Sequence, residues 1–285
     1  MPFEPPIDVP RSLPEAYGML AHGRRTPIAG GTDLMVRITG EIGEPPEHLV
    51  DVSRLRALEG ITLESGVLVL GARTTYTEIR RDVLCRAHLP ALVDAAATIG
   101  AAQIQNRGTL GGNIANASPA GDMLPVLLAS DAEIVVGSAR EERTIAATAF
   151  FTGYRQTALA GDELILRIRI PLPPGRQVRF RKVGTRRAQA ISKVVMSVAW
   201  RAHGPTSGWS DVRVALGSVA ATPIRATSTE AALEGQRPTP EVADQAAEVL
   251  AAELQPIDDV RSTADYRRTV AARILHRILR DAGGW

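Results

Sequence analysis

Residues 29–34 read AGGTDL and residues 108–114 read GTLGGNI, and these two glycine-rich stretches decide the fold prediction. Each contains two adjacent glycines flanked by small polar residues. The first stretch follows a short apolar run at residues 26–29, which predicts a strand that runs straight into a turn. The second follows an Ala-rich segment at residues 90–99, whose apolar spacing predicts a helix. Both glycine pairs are therefore expected to lie in turns beside regular structure.

Adjacent glycines allow positive φ and lack the Cβ atoms that would block a ligand. The N–H groups of such a turn, next to the start of a helix, are suited to bind a diphosphate. Thr32, Thr109 and Asn113 add side-chain donors, whereas the carboxylate of Asp122 suits a ribose hydroxyl. Neither stretch has the Gly-x-Gly-x-x-Gly pattern of Rossmann folds or the lysine of a P-loop, which argues against nucleoside triphosphate hydrolysis. One glycine pair alone favours an ordinary tight turn, but two pairs favour one shared ligand with two phosphates.

The composition indicates a globular chain that carries no metal cluster of its own. The 285 residues allow two domains, and 45% apolar with 22% charged residues excludes disordered and fibrous classes. A formal charge of +2 is too small for the positive face that nucleic-acid binding requires. The single cysteine, Cys85, excludes an internal disulfide and a multi-cysteine iron–sulfur or zinc site. The histidines have no metal-ligand spacing and are interpreted as structural or solvated, namely His22, His48, His88, His203 and His276.

Targeting and membrane signals are also missing from the sequence. The first residues have neither the basic nor the apolar region of a secretory signal. The longest apolar runs are shorter than the ~20 residues that a membrane span requires. We therefore expect a cytoplasmic protein with no membrane span and no nucleic-acid partner.

The breaker cluster PLPPG at residues 171–175 divides the chain. We expect one domain over residues 1–172 and a second over residues 176–285. Strands followed by helices predict a small α+β second domain with a three-stranded sheet. The predicted strands are at residues 178–183, 191–201 and 212–219, and the predicted helices at residues 227–234, 240–253 and 262–281.

The first domain contains further predicted elements. SLPE at residues 12–15 is typical of a capping box, which opens a helix that ends near Gly23. Strands are expected at residues 48–52, 67–71, 133–136 and 163–170, and short helices at residues 34–38 and 123–129.

The glycine-rich stretches resemble the flavin-binding loops of the FAD-binding medium subunits in the xanthine dehydrogenase and carbon monoxide dehydrogenase (molybdenum hydroxylase) family. AGGTDL resembles the first loop, and TLGGNI at residues 109–114 with SPAGD at residues 118–122 resembles the second. RKVGTRR at residues 181–187 and ISKV at residues 191–194 are similar to the opening of the family's C-terminal domain. DDVRSTADYR at residues 258–267 resembles its closing helix.

The resemblance implies an α+β fold. In it, a two-part FAD-binding domain, shared with vanillyl-alcohol oxidase-like (PCMH-type) proteins, precedes the small C-terminal domain of carbon monoxide dehydrogenase flavoproteins. It implies noncovalent FAD whose diphosphate lies between the loops, with Asp122 on the ribose side and Lys182 near the pyrimidine edge of the flavin. A cation there stabilises negative charge on the reduced ring. By position, the cofactor-binding residues are Pro27, Ile28, Ala29, Gly30, Gly31, Thr32, Asp33, Leu34, Ile99, Thr109, Leu110, Gly111, Gly112, Asn113, Asp122, Ile165 and Lys182.

The resemblance also implies partner subunits in a hetero-oligomer. A large subunit carries the molybdenum cofactor and a small one carries iron–sulfur clusters, so that electrons pass from the two-iron two-sulfur subunit to this FAD and on to an external acceptor. No nucleophile–base pair is recognisable, and no catalytic residue or metal ligand is assigned to this chain. Gly111→Val is expected to abolish FAD binding because a side chain would fill the space of the diphosphate.

Two other functions stay open. A stand-alone FAD-dependent oxidase or reductase with its own small substrate would need a base or polar cluster over the flavin, and none is identified. A scaffold that has lost the cofactor is opposed by the intact loop glycines and by Asp122. The lack of a cysteine cluster excludes the additional iron–sulfur insertion of the benzoyl-CoA-type relatives.

Overall fold

The computed structural model describes residues 4–40, 42–186, 188–202, 204 and 207–285. Arg187, in the predicted opening of the C-terminal domain, and His203, interpreted as structural or solvated, lie outside the described residues. Within these ranges, the structure contains no helix with the length and apolar character of a membrane span.

The N-terminal part of the chain forms a small parallel sheet. Its elements are β1 (Ile7–Asp8), α1 (Leu13–Leu20), β2 (Arg25–Ile28), α2 (Leu34–Thr39) and β3 (His48–Asp51), followed by a 3-10 turn at Arg56–Leu58. The central strand β3 pairs in parallel with β1 on one side and β2 on the other. The first glycine-rich stretch therefore connects the end of β2 to the start of α2.

The predicted capping box at α1 is half formed. Oγ of Ser12 accepts a 3.3 Å hydrogen bond from the N–H of Glu15, as predicted. The Glu15 carboxylate, however, accepts from the N–H of Arg11 at 2.7 Å instead of closing the box on Ser12. The helix ends at Leu20 rather than near Gly23, because the chain already turns before that glycine, which has φ +79°.

The middle of the chain builds an antiparallel sheet with helices between its strands. Its elements are β4 (Ile61–Glu64), β5 (Val67–Gly71), α3 (Tyr76–Arg81), α4 (Val83–His88), α5 (Pro90–Ala97), α6 (Ala102–Gln105), α7 (Leu110–Asn116), α8 (Leu124–Ala129), β6 (Glu133–Gly137), β7 (Glu142–Ala146), α9 (Ala147–Phe150), β8 (Phe151–Gly153), β9 (Gln156–Thr157) and β10 (Leu164–Pro171). The strand order is β4-β5-β10-β6-β7, and β8 and β9 form a separate hairpin. Helix α3 was not predicted, although Thr75 and Glu78 form a complete capping box at its start.

The C-terminal part forms a sheet covered by helices. Its elements are β11 (Arg176–Val183), β12 (Val194–Arg201), β13 (Ser210–Gly217), β14 (Ile224–Arg225), α10 (Thr227–Leu233), α11 (Pro240–Glu253) and α12 (Ala264–Gly283). The sheet has the order β11-β12-β13-β14, so a two-residue strand joins the three that were predicted. A strand of this length has no alternating pattern that a sequence could reveal.

β12 is buried on both faces and separates two hydrophobic cores. Val195 and Ala199 pack into the central core with residues of the middle sheet and its helices. Val194 and Val198 point to the other side, into the core formed with α11 and α12. The alternation of side chains along a strand thus assigns neighbouring residues to different cores. This arrangement fixes β11, which carries Lys182, against the helices of the middle region.

Candidate functional site

The two glycine-rich stretches lie against each other, backbone to backbone. A Cβ on Gly30 would be 1.9 Å from the carbonyl oxygen of Arg107. A Cβ on Gly108 would lie 2.7 Å from the Tyr76 ring and 3.2 Å from Oγ1 of Thr32. Both positions therefore require glycine for the close approach of the chain. The structure brings together the two stretches that the sequence analysis paired.

A groove of about 200 Å³ runs between the two stretches. Small-molecule sites usually enclose about 300–1,000 Å³, so this groove has room for a part of a dinucleotide such as its diphosphate. Its walls come from the end of β2, the turn after it, α2, α3 and α7. The lining residues are Thr26, Pro27, Ile28, Ala29, Gly30, Gly31, Thr32, Asp33, Leu34, Arg37, Tyr76, Thr109, Gly112, Asn113, Ala115 and Asn116.

The first stretch leaves its backbone donors free. Within the described ranges, the N–H groups of residues 30–33 donate to no protein acceptor. Gly31 has φ +72°, a conformation that favours glycine. The carbonyl oxygens of Gly31 and Asp33 accept from the N–H groups of Met35 and Arg37, which starts α2. A run of free N–H groups in a turn fits the oxygens of a diphosphate.

The second stretch uses its backbone donors within the protein. The N–H groups of Leu110 and Gly111 donate to carbonyl oxygens of the loop after β5, at 2.9 and 2.8 Å. Gly112 donates to Oγ1 of Thr109 at 3.0 Å, and Asn113 donates to the carbonyl oxygen of Thr109 at 3.0 Å. The expectation that both turns offer N–H groups to a ligand is therefore wrong for the second. Its residues begin α7, where the first N–H groups have no acceptor within the helix, and here the loop after β5 and the side chain of Thr109 accept from them.

Leu110 and Gly111 do not line the groove. Leu110 is fully buried in the central core. A Cβ on Gly111 would be 2.7 Å from the carbonyl oxygen and 2.8 Å from the Cβ of Ala72. The reason given for the effect of Gly111→Val is thus wrong, because the new side chain would collide with Ala72 rather than fill the diphosphate space. Gly112 is the member of this pair that lines the groove.

Asp33 and Arg37 are the charged groups that line the groove. Burial raises the pKa of the Asp33 carboxyl, whereas the charge of Arg155 and a hydrogen bond from Asn116 lower it. Nδ2 of Asn116 donates to Oδ1 of Asp33 at 3.0 Å, and NH1 of Arg155 donates to Oδ1 of Asn116 at 2.8 Å. The acidic group in the groove is therefore linked to a cation through one amide side chain.

Asn113 presents an unsatisfied acceptor. It lines the groove, and its Oδ1 is buried with no hydrogen-bond partner in the described part of the protein. A buried polar atom without a partner is unfavourable, and a ligand hydroxyl that donates to it removes that penalty. A dinucleotide carries such hydroxyls beside its phosphates. The free donors of the first stretch and this acceptor together fit FAD.

Comparison with known proteins identifies the family. The family described as "FAD binding domain in molybdopterin dehydrogenase" matches residues 3–173, and the "CO dehydrogenase flavoprotein C-terminal domain" matches residues 179–282. The chain belongs to this flavoprotein family. The flavoprotein is 32% identical to the carbon monoxide dehydrogenase medium chain of Hydrogenophaga pseudoflava, over 96% of this chain and 95% of that one. It is 30% identical to the nicotinate dehydrogenase FAD-subunit of Eubacterium barkeri, over 95% of this chain and 94% of that one.

A solved structure shows the same fold. It is the carbon monoxide dehydrogenase from Hydrogenophaga pseudoflava that lacks the Mo-pyranopterin moiety of the molybdenum cofactor. The flavoprotein superimposes on one of its chains with a TM-score of 0.92 at 32% identity, covering 97% of this chain and 96% of that one. The predicted family and the predicted α+β flavoprotein fold are confirmed, and the flavoprotein is an oxidoreductase subunit.

Asp122 and Lys182 form a buried pair outside the groove lining. Nζ of Lys182 donates to Oδ2 of Asp122 at 2.5 Å and to the carbonyl oxygen of Thr98 at 3.1 Å. The other oxygen of Asp122 accepts from the buried hydroxyl of Ser192. Burial raises the pKa of Asp122, while the charge of Lys182 and the hydrogen bonds oppose that shift. Both carboxylate oxygens already have protein partners, so a ribose hydroxyl would share Asp122 with Lys182 and Ser192.

Ile99 and Ile165 also lie outside the groove lining. Ile165 is buried in β10 as part of the central core. Ile99 is half-buried and packs against the same core. Hydrophobic packing accounts for both positions in this structure.

Arg37, Tyr76 and Asn116 line the groove but were missed by the sequence analysis. Arg37 is a cation in α2, six residues after Gly31, and an arginine beside a glycine-rich turn is a usable signal for an anion site. Asn116 follows Asn113 by three residues in α7, a spacing that places both on one helix face. Tyr76 begins the unpredicted helix α3, and no sequence signal connects it to the glycine stretches.

Proposed function

We propose that this flavoprotein is the FAD-binding electron-transfer subunit of a molybdenum hydroxylase complex. It accepts electrons from a small two-iron two-sulfur subunit and passes them to an external acceptor, while a large molybdenum-cofactor subunit oxidises the substrate. The observation that carries the proposal is the run of free N–H groups at residues 30–33 in a chain of an FAD-binding family. The names of the relatives, a medium chain and an FAD-subunit, support a hetero-oligomer.

The groove residues bind and orient the cofactor without a covalent bond. The N–H groups of residues 30–33 would hold the diphosphate, with the hydroxyls of Thr32 and Thr109 as further donors. Arg37 would add a positive charge, and Oδ1 of Asn113 would accept from a hydroxyl of the dinucleotide. Bound FAD supplies the redox chemistry, since it takes up electrons singly and releases them in pairs.

Lys182 acts at the flavin and Asp122 acts through Lys182. An ammonium group has three N–H donors, and Lys182 directs two of them to Asp122 and to the carbonyl oxygen of Thr98. The third remains for an oxygen of the cofactor. Because the pair is buried, its ammonium is held in one position, where it would stabilise negative charge on a reduced flavin.

Titration of the purified full-length chain with FAD tests the cofactor assignment. We expect saturable binding, release of intact FAD on denaturation, and about 2.7 kcal/mol of added stability when FAD is 100-fold above its Kd. A chain that neither binds FAD nor gains thermal stability from it would contradict the assignment and favour the scaffold function.

Purification from the native source tests the partners. We expect a cysteine-rich small chain and a large molybdenum-binding chain to co-purify, and FAD to be reduced by substrate only in their presence. Reduction of FAD by a small substrate with this chain alone would instead support the stand-alone oxidase or reductase. A cytoplasmic location, expected from the sequence, is part of the proposal.

A further inference from the structure

Three side chains from separate elements meet beside the groove, and we call them the Asp33 bridge. Asp33 precedes α2, Asn116 ends α7, and Arg155 lies between the strands of the β8–β9 hairpin. The two hydrogen bonds, Arg155 to Asn116 and Asn116 to Asp33, join them in a line. Arg155 lies in the turn of this hairpin and has φ +52°, which is unusual for a residue other than glycine.

Asp33 occupies the N-cap position of α2 but does not cap it. Aspartate is among the best N-cap residues, because its carboxylate accepts from the N–H groups of the first turn. Six other described helices are capped in this way, and in α4 the capping residue is itself an aspartate, since Oδ1 of Asp82 accepts from the N–H of Cys85. Asp33 makes no such bond, and its Oδ1 accepts from Asn116 instead. The backbone of Asp33 has helical dihedral angles, φ −101° and ψ −45°, whereas a capping residue has an extended backbone, so its carboxylate is available to Asn116.

The charge of Asp33 requires compensation if the groove holds a diphosphate. Asp33 lines the groove, so its ionised carboxylate repels an anionic ligand there. Arg155 is not among the lining residues, and it reaches Asp33 through Asn116. Removal of Arg155 leaves the negative charge of Asp33 in the groove and removes the cation whose charge favours its ionised form.

We propose that Asn116 and Arg155 are positioning residues for FAD binding, which hold the Asp33 carboxylate in one place beside the groove and offset its charge. The inference rests on the proposed function, because it concerns the same groove. Its particular content is that Arg155 acts on the cofactor only by way of Asp33. A double-mutant cycle between these two residues therefore tests it.

The cycle compares Arg155→Met, Asp33→Asn and the double variant with the wild-type full-length chain. FAD affinity is measured by titration, and the thermal stability of the FAD-free chain is measured in parallel. Arg155→Met is expected to weaken FAD binding two- to threefold, because Arg155 is exposed and solvent screens its charge, while Asp33→Asn removes the negative charge and is expected not to weaken binding. In the Asp33→Asn background, Arg155→Met is expected to leave FAD affinity unchanged. Arg155→Lys keeps the charge and is expected to restore most of the affinity.

Arg167→Met is the matched control, since Arg167 forms an exposed ion pair with Glu142 away from the groove. It is expected to bind FAD as wild type does. The inference is overturned if Arg155→Met leaves FAD affinity unchanged, or if its loss is equally large with Asn at position 33. It is also overturned if the FAD-free Arg155→Met chain loses thermal stability that accounts for the affinity change. A wild-type chain that binds no FAD would instead refute the proposed function.

Discussion

The two glycine-rich stretches have similar composition but use their backbones in opposite ways. At residues 30–33, which connect a strand to a helix, the N–H groups stay free of protein acceptors in the described structure. At residues 110–113, which already form the first turn of α7, every N–H group has a protein acceptor. The first stretch therefore provides backbone donors, and the second provides side chains and a close packing surface.

The difference shows that glycine has two separate roles at this site. Gly30 and Gly108 allow the two glycine-rich stretches to approach each other, and Gly111 allows α7 to contact Ala72. Gly112 meets only Oγ1 of Thr109 and borders the groove. A glycine-rich motif thus predicts close approach more securely than it predicts phosphate contact, because a neighbouring segment or a capping side chain can accept from the N–H groups at a helix start.

The largest expected effect separates packing from ligand binding in the second stretch. Gly111→Val places its side chain against Ala72 and is expected to destabilise the FAD-free chain by about 3 kcal/mol. Chemical denaturation without FAD measures this loss. Gly112→Ala is the matched control and is expected to lose about 1 kcal/mol or less, through its contact with Thr109. Wild-type stability of the Gly111→Val chain would refute the packing role.

Asn113→Ala, in contrast to Gly111→Val, is expected to weaken FAD binding without a loss of stability. Its unsatisfied Oδ1 gives nothing to the FAD-free chain, so thermal stability is expected to stay the same or rise. FAD affinity is expected to fall about tenfold, which equals about 1.4 kcal/mol. Asn106→Ala, which removes an exposed hydrogen bond to Thr77, is the control. Unchanged FAD affinity in Asn113→Ala would show that this oxygen does not meet the cofactor.

The two threonines provide a direct comparison between the stretches. Thr109→Val removes the side-chain cap of α7 and is expected to cost about 1 kcal/mol of unfolding free energy in the FAD-free chain. Thr32→Val is expected to leave that stability unchanged, because Oγ1 of Thr32 forms no hydrogen bond within the described residues. FAD titration of Thr32→Val is expected to show weaker binding. Equal losses of stability in both variants would remove the distinction between the stretches.

The smallest expected effect is that of Arg37→Met. Arg37 is exposed, so its attraction for a diphosphate is screened by solvent and is worth about 0.5 kcal/mol, or two- to threefold in Kd. The difference from wild type is expected to vanish at about 1 M salt, where the screening length is about 3 Å. A salt-independent difference would indicate that Arg37 contacts the cofactor through a buried hydrogen bond.

The sequence was sufficient for the family and for much of the fold because the evidence was local. AGGTDL and TLGGNI predicted the paired stretches, and Thr239 with Pro240 begins α11, whose bounds agree with the prediction. The arrangement inside the site was not local. Asp122 and Lys182 are 60 residues apart in the chain, and only the packing of β11 against the middle region makes them a pair.

The sequence also did not show which side chains face the core and which border the groove. Leu110 and Gly112 are separated by one residue, yet one is core and the other borders the groove. The two residues point in different directions because α7 begins directly after Thr109. The sequence predicted a turn at these residues rather than a helix. Arg155 and Asp33 are joined only through a third residue, Asn116, which no motif connects to either.

Because β12 is buried on both faces, the chain cannot be divided into two independent fragments at the breaker cluster. Val195 and Ala199 complete the core beneath the cofactor groove, although they are encoded after the breaker cluster at residues 171–175. A shortened gene that ends at that cluster would encode a fragment whose apolar surface, normally covered by β12, is exposed to solvent. Such a fragment is expected to aggregate rather than to fold as an independent flavin-binding domain. Grafting this flavoprotein onto another enzyme therefore means transplanting both halves.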